Sequence, residues 1–255
     1  MEGARRLLVL AVLITAAACI GLFALIFFSQ RSLIYFPQPR SNHDGSIMTL
    51  TSGSGTVLVS TRPATGRNAV IYFGGNAEDV SLDMSDFSST FPNSAIYLLH
   101  YPGYGGSAGH PTEKSILDAA FALFDVVHSQ HSNVTLIGRS LGTGVAVHVA
   151  SQRPVTRVVL VTPYDSLVDV AEEHYPFLPS RWMMFDKYDS WKYAPQVTAP
   201  TRMVVAGNDE VIPRTSTERL RMRFTQSAVS YMVVPGVGHN SISESPDYLR
   251  LLSEQ

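Results

Sequence analysis

Uncharged, apolar residues fill the chain from position 7 to position 28, where Thr15 has the one polar side chain. As an α-helix this run would be about 33 Å long, which matches the roughly 30 Å hydrocarbon core of a bilayer. A cleaved signal peptide has a shorter apolar stretch of about 7–15 residues. A lipoprotein site at Cys19, suggested by the three preceding alanines, would lie well inside the run. The pattern therefore predicts an uncleaved transmembrane anchor over residues 7–28.

Positive charges flank both ends of this run. Arg5 and Arg6 precede it closely, whereas Arg31 and Arg40 follow it. Because positive residues are retained on the cytoplasmic side, the closer pair favours a cytoplasmic N-terminus. The expected localisation is a single-pass membrane protein with its main domain on the non-cytoplasmic side.

Short runs rich in β-branched residues recur through residues 31–255 and alternate with longer helical patterns, such as 114–130. Most of these runs are apolar throughout, which is typical of parallel strands buried on both faces. The alternation predicts an α/β domain: a mostly parallel central sheet with helices on both faces. The predicted strands are 47–50, 56–60, 69–73, 95–100, 134–138, 158–161, 202–206 and 229–234.

Composition narrows the function classes. Hydrophobic residues make up 45% of the chain and charged residues 16%, which argues against intrinsic disorder. The net charge of −2 shows no excess of basic residues of the kind that binds nucleic acid. A single cysteine excludes an internal disulfide framework and a thiolate zinc cluster. The sequence contains neither a P-loop nor an HExxH motif, so we expect no metal and no organic cofactor.

Two segments match the pattern G-x-S-x-G, and their surroundings differ. Ser140 follows the predicted strand 134–138 and precedes a helical stretch at 141–152. That strand–turn–helix context is the one that a nucleophile elbow requires. Ser107 lies instead in a glycine-rich loop between two prolines. Ser140 is therefore the predicted nucleophile.

A serine hydroxyl needs a general base to react. His239 lies in a glycine-containing loop directly after the last predicted strand, where this kind of site places its histidine. His148 falls inside the helix after Ser140 and His174 in the segment without strands, and both positions are typical of structural residues. We expect His239 to be the base.

The base in turn needs a carboxylate that orients it. Asp209 follows the penultimate predicted strand, and a carboxylate in that loop can reach the imidazole. The alternatives are its neighbour Glu210 and Asp165, which lies one strand earlier. The oxyanion hole needs backbone N–H groups. Leu141, next to the nucleophile, and Asn76, in the glycine-rich loop after strand 69–73, are the predicted donors.

With these residues the chain resembles the alpha/beta-hydrolase superfamily, and more narrowly the small single-pass membrane hydrolases of the bud-emergence type, which are related to protein depalmitoylating hydrolases. The resemblance covers residues 31–255 and rests on the segments 72–77, 101–107, 111–113, 138–142, 207–209 and 238–239. It implies a serine hydrolase that acts on carboxylic esters, thioesters or amides through an acyl-enzyme. These relatives commonly have histidine where this chain has Gly74, and glycine where it has Glu78.

Residues 163–200 form the longest segment without a predicted strand and are expected to be a cap inserted in the hydrolase domain. The segment holds both tryptophans. Trp182 and Met183 are candidates for lining an apolar substrate pocket. The other interpretation, that the apolar side chains pack the cap onto the sheet, fits the sequence equally well.

The sequence thus predicts a membrane-anchored esterase or thioesterase acting on a small-molecule or acylated substrate, with no nucleic acid partner. A serine peptidase or amidase would use the same catalytic residues. A non-catalytic binding protein on a hydrolase scaffold is the third interpretation. The presence of serine, aspartate and histidine in the expected order argues against it. The pattern assigns neither an oligomeric state nor one acyl donor.

Overall fold

One eight-stranded sheet organises the chain, for which a computed structural model describes residues 2–53 and 55–254. All eight predicted strands are present, and their bounds differ from the predicted ones by a few residues at most. The strands are β1 Ser46–Ser52, β2 Gly55–Arg62, β3 Asn68–Phe73, β4 Ala95–Leu99, β5 Asn133–Arg139, β6 Arg157–Val161, β7 Thr201–Ala206 and β8 Val229–Val234.

The order of the strands across the sheet is β1-β2-β4-β3-β5-β6-β7-β8. β2 pairs antiparallel with β1 and β4, and every other neighbouring pair is parallel. The prediction of a mostly parallel sheet is confirmed. Parallel strands end at one edge of a sheet, so the loops after β3, β5, β7 and β8 lie on the same side of the molecule.

Buried side chains cover both faces of the sheet. One cluster contains Ile71, Phe73 and Leu136, and the other contains Tyr72, Ile137 and further strand residues of opposite orientation. Successive side chains of a strand point to opposite faces, so strands that are apolar throughout supply both clusters. This alternation explains why the strands could be predicted from continuous apolar runs in the sequence.

Helices connect the strands. They are α1 Glu2–Ile34, α2 Met84–Thr90, α3 Glu113–Gln130, α4 Leu141–Ala150, α5 Leu167–His174, α6 Ser180–Met183, α7 Ser190–Tyr193, α8 Arg214–Arg221 and α9 Tyr248–Ser253. α3 begins with a capping box in which the Thr112 hydroxyl accepts a bond from the Ser115 amide and the Ser115 side chain accepts from the Thr112 amide. The segment between β6 and β7 contains α5, α6 and α7, and we call it the cap.

The N-terminal helix differs from all the others in its exposure. α1 has 33 residues, and among the described residues it is the one helix long and apolar enough to cross a membrane. Its apolar side chains from Leu7 to Leu25 project away from the domain. The helix continues beyond the predicted anchor of residues 7–28 to Ile34, so that its last turns reach the domain that contains the sheet.

Candidate active site

Ser140 lies at a sharp turn between β5 and α4. Its backbone φ of 48° and ψ of −116° fall outside the usual regions for a residue with a side chain. The turn is possible because two glycines let backbones approach. A Cβ on Gly138 would lie 2.4 Å from the oxygen of Gly142, and a Cβ on Gly142 would lie 2.0 Å from the oxygen of Phe73. The strand–turn–helix context expected for Ser140 is therefore the observed one.

His239 and Asp209 complete a line of hydrogen bonds with this serine. Nε2 of His239 lies 2.9 Å from Oγ of Ser140, and its Nδ1 lies 3.0 Å from both carboxylate oxygens of Asp209. Asp209 is itself held, since its Oδ1 accepts bonds from the amides of Val211 and Ile212 at 2.9 and 2.7 Å. His239 is 5% exposed, so the three groups meet largely away from solvent.

The alternative acids have other partners. Asp165 is buried, where it accepts a bond from Ser216 Oγ at 2.6 Å and pairs with Nε of Arg219 at 2.5 Å. Glu210 lies next to the histidine but accepts a bond from its backbone amide, at 3.1 Å, rather than from its ring. Asp165 therefore stabilises the contact with Ser216 and Arg219, and Glu210 stabilises the backbone of the loop that carries His239.

The alternative nucleophile and bases also lie elsewhere. Ser107 donates to the carbonyl oxygen of His100 at 2.9 Å and accepts a bond from an amide of β2, so it ties a loop to the sheet. His148 stacks on Tyr193, with 3.7 Å between ring centroids, and burial lowers its pKa to about 4. His174 bonds to the carbonyl oxygen of Val211 at the edge of the cap.

Leu141 and Asn76 both reach the cavity beside Ser140. Leu141 is the first residue of α4, where no intrahelical carbonyl can accept its N–H. Asn76 belongs to the loop after β3, whose neighbouring peptides are fixed. Tyr101 donates to the oxygen of Gly74 at 2.8 Å, and Tyr104 donates to the oxygen of Asn76 at 2.6 Å. These bonds fix the two peptide units on either side of the one that carries the Asn76 N–H, since a residue's carbonyl belongs to the same planar unit as the next residue's amide.

Glu78 gives the same loop a third attachment. Its Oε2 accepts a bond from the amide of Gly75 at 2.8 Å, and its Oε1 accepts one from the hydroxyl of Tyr72 at 2.5 Å. The same carboxylate pairs with Arg139, the residue before the nucleophile. The two departures from the resembled family lie side by side: a Cβ placed on Gly74 would lie 3.3 Å from the Glu78 carboxyl group, and only 2.5 Å from Cγ1 of Val80.

A cavity of about 680 Å³ opens beside Ser140 and His239. Met183 lines it, whereas Trp182 does not and has 89% of its surface exposed. The structure therefore brings one of the two predicted cap residues to the site. Adjacent positions on the short helix α6 face different directions, and this is why one residue reaches the cavity while its neighbour points to the outside.

Sequence reasoning missed the contribution of α1 to this cavity. Five residues near the end of that helix line it: Ile26, Phe27, Gln30, Leu33 and Ile34. The signal lay in their spacing, because intervals of three, four and seven residues place side chains on one face of a helix. It also missed the two tyrosines of the segment 101–104 as supports of the loop after β3. Among the described residues, no group of three or more His, Cys, Asp or Glu side chains is arranged to hold a metal ion.

Comparison with known proteins identifies the family. The family model for serine hydrolases matches residues 113–245. An uncharacterized protein of Mycobacterium tuberculosis is 34% identical over 248 residues, which cover 90% of this chain and 87% of that protein. Alpha/beta hydrolase domain-containing protein 17C of Xenopus tropicalis is 30% identical over 206 residues, covering 78% of this chain and 64% of that protein.

Solved structures show the same fold. An esterase of Pyrococcus furiosus, Pf2001, superposes with a TM-score of 0.69 at 13% identity, covering 86% of this chain and 96% of that chain. DcsB, in complex with its substrate analogue, superposes with a TM-score of 0.65 at 14% identity, covering 81% of this chain and 95% of that chain. With the family match and the relatives in sequence, these similarities establish that the chain belongs to the serine hydrolases of the alpha/beta-hydrolase fold.

Proposed function

We propose that this serine hydrolase cleaves carboxylic ester or thioester bonds, with Ser140 as nucleophile, His239 as general base and Asp209 as the acid that orients the base. One observation carries the proposal. Nε2 of His239 lies 2.9 Å from the serine oxygen while its Nδ1 faces the Asp209 carboxylate at 3.0 Å. This is the order and spacing of groups that general-base activation of a hydroxyl requires.

The first half of the reaction transfers the acyl group to the enzyme. His239 removes the proton of Ser140, and the serine oxygen forms a bond to the substrate carbonyl carbon. The negative charge that develops on the carbonyl oxygen is stabilised by the N–H groups of Leu141 and Asn76. The carbon–oxygen or carbon–sulfur bond then breaks, and the leaving group takes the proton from the imidazolium.

The second half releases the acid. A water molecule loses a proton to His239 and attacks the acyl carbon, and the bond to the Ser140 oxygen breaks as that oxygen takes the proton back. Asp209 stabilises the imidazolium in both halves. Water supplies the added hydroxyl and hydrogen, so the reaction needs no further co-reactant.

The cavity favours an acyl substrate. Its walls are mostly apolar, with Leu167, Val170 and Met183 among the lining residues, and Ser140 and His239 line the same cavity. Ligand sites commonly have such walls and volumes of about 300–1,000 Å³. An apolar acyl chain fits the walls, and its carbonyl carbon then reaches the serine.

We also propose that α1 anchors the enzyme in a membrane, with the hydrolase domain on the non-cytoplasmic side. The exposed apolar surface of α1 supports the anchor, since the helix spans more than a hydrocarbon core. Arg5 and Arg6 before the apolar run support the orientation. A single cysteine introduced at the exposed Ser89 in a Cys19→Ala background should react with a membrane-impermeant maleimide in intact cells. Protection until the cells are lysed would contradict this orientation.

Labelling with a fluorophosphonate probe tests the nucleophile. We expect the full-length protein in detergent to be labelled and the Ser140→Ala variant to show no labelling, because the probe reacts with an activated serine. Labelled wild-type protein should also hydrolyse p-nitrophenyl esters and acyl thioesters.

Two matched variants control this experiment. Ser107→Ala changes the other G-x-S-x-G serine, and Ser89→Ala changes an exposed serine on α2; both variants should retain labelling. Folded wild-type protein that neither labels nor hydrolyses esters or thioesters would contradict the proposed function. Labelling retained in Ser140→Ala would exclude Ser140 as the nucleophile.

A further inference from the structure

The last turns of α1 form one wall of the cavity that contains Ser140. Ile26, Leu33 and Ile34 of this helix line the same space as Val170 and Met183 of the cap. Ile26 and Ile34 are eight residues apart, so this wall extends about 12 Å along the helix axis. The cavity thus runs beside α1 toward the part of the helix that the sequence assigns to the membrane.

Specific contacts hold this wall against the cap. Gln30, a buried residue of α1, donates a hydrogen bond to the carbonyl oxygen of Met183 at 3.1 Å and accepts one from the amide of Phe185 at 2.8 Å. Nε of Arg31 pairs with Oδ2 of Asp186 at 3.1 Å, and Asp186 is almost fully buried. The rings of Phe27 and Phe185 pack edge to face, 4.9 Å between centroids.

The end of the same helix is bonded to the predicted oxyanion loop. The carbonyl oxygen of Ile34, the last residue of α1, accepts a bond from Nδ2 of Asn76 at 3.0 Å. A helix leaves its last carbonyls without intrahelical partners, and here the side chain of Asn76 supplies one. Two residues later the amide of Phe36 donates to the carbonyl oxygen of Asn76, also at 3.0 Å. The position of the α1 wall relative to Ser140 is thereby fixed.

Large apolar side chains are exposed on α1 and on the cap. Phe28 of α1 is 83% exposed, and Phe177, Trp182 and Phe185 of the cap are more than half exposed. Aromatic side chains in such positions are enriched at the boundary between membrane and water. Phe185 packs on Phe27 of α1, so this part of the cap lies beside the helix that the sequence assigns to the membrane.

We propose that α1 is part of the acyl-binding site and that the substrate is an ester or thioester with a long acyl chain. The chain extends from Ser140 between α1 and the cap toward the hydrocarbon of the membrane, in contact with Ile26 and Leu33. This inference rests on the proposed function, since it specifies the substrate class of the same serine. It gives α1 a role in specificity that a simple anchor does not have.

Two substitutions that narrow the cavity test this role in the full-length enzyme. Ile26→Trp and Leu33→Trp should lower kcat/KM for p-nitrophenyl palmitate by about tenfold or more, the effect of losing apolar contact for roughly two methylene groups. Hydrolysis of p-nitrophenyl butyrate should fall far less, because a short chain does not reach the wall, so the ratio of palmitate to butyrate hydrolysis should drop. The fluorophosphonate probe should still label both variants. Leu25→Trp is the matched control, since Leu25 is exposed on the same helix and does not line the cavity.

The result that overturns the inference is an unchanged ratio of palmitate to butyrate hydrolysis in both variants while labelling persists. Absence of labelling and hydrolysis in the wild type would instead contradict the proposed function. A second measurement avoids substitution of α1 altogether. A sixteen-carbon alkyl fluorophosphonate with a diazirine at mid-chain is attached to Ser140 and irradiated. Cross-links in residues 26–34 support the inference, and cross-links confined to other segments overturn it.

Discussion

Glu78 and Arg139 form an ion pair that connects three loops of the candidate site. Nη1 of Arg139 lies 3.3 Å from Oε2 of Glu78, and the two side chains are 17% and 13% exposed. Glu78 holds the loop after β3 through the amide of Gly75, while Nη2 of Arg139 donates to the carbonyl oxygen of Asn240 at 3.2 Å. Arg139 precedes the proposed nucleophile and Asn240 follows the proposed base, so one pair positions the groups that must act together.

Glu78→Gln should therefore lower kcat by about tenfold with little change in KM, because the substitution weakens positioning of the oxyanion donors without altering the apolar cavity. It should also destabilise the fold by about 1–3 kcal/mol, since the guanidinium of Arg139 loses its charged partner. Steady-state kinetics on p-nitrophenyl butyrate and thermal unfolding measure the two effects. Asp125→Asn, which removes a comparable pair with Arg153 at the surface, should leave kcat unchanged. A proportional change in KM alone would contradict the positioning role.

Asp83 should make the free energy of unfolding decrease as the pH rises toward about 9. Burial and the neighbouring Glu78 carboxylate raise the pKa of Asp83 to about 9 from its ordinary value of 3.8. Between these values the folded protein binds a proton that the unfolded chain has released, so the free energy of unfolding falls as pH rises. Asp83→Asn cannot ionise, and its unfolding midpoint should gain on the wild type between about pH 7 and pH 9. A constant difference in midpoint over that interval would show that Asp83 does not titrate there.

Asp209→Asn and Asp165→Asn separate the two candidate acids. The first substitution should lower kcat by about 10⁴, because the imidazole of His239 loses the carboxylate that fixes its tautomer and stabilises its charge. The second should lower the thermal unfolding midpoint, since Asp165 is buried with Arg219 and Ser216, but the folded variant should keep most of its activity. Activity per folded molecule, from active-serine titration, distinguishes them. The opposite ranking would assign the acid to Asp165.

Gly142→Ala should prevent the elbow from forming. An added Cβ would lie 2.0 Å from the carbonyl oxygen of Phe73, and the contact is between backbones that cannot move independently. We expect loss of folded protein or destabilisation of about 3 kcal/mol or more. Gly3→Ala adds the same methyl group where nothing lies within 4 Å and should have no such effect. Soluble yield and circular dichroism compare the two, and a stable Gly142→Ala variant would refute the close-packing argument.

The sequence predicted the sheet well because most of its inner strands, such as β3, β4, β6 and β7, are buried on both faces and therefore read as continuous apolar runs. The strand over residues 134–138 and the glycines around Ser140 also mark the elbow in the sequence, although the close approach at Gly142 is to Phe73 of another strand. His239 and Asp209 followed from the order of strands, because parallel strands bring the loops that follow them to one edge.

Other parts of the site depend on contacts that no local pattern encodes. In the sequence, Gln30 looks like an ordinary polar residue that follows a membrane helix. Only its hydrogen bonds with the cap show that it holds α1 against the cap beside the cavity. Trp182 and Met183 are adjacent and both apolar, yet the direction of one short helix separates them. The role of Glu78 required its distance to Arg139, which is 61 residues away in sequence.

Because α1 continues without a break from its apolar run into the bonds at Ile34, the proposed membrane anchor joins the domain without a flexible linker. Phe28 and Ile34 are six residues apart, about 9 Å along the helix. An enzyme anchored in this way would hold Oγ of Ser140 at one fixed distance from the hydrocarbon core of the membrane. Ester or thioester bonds at that distance from the membrane would be cleaved. Chemically identical bonds on a soluble protein, farther from the membrane, would not reach Ser140.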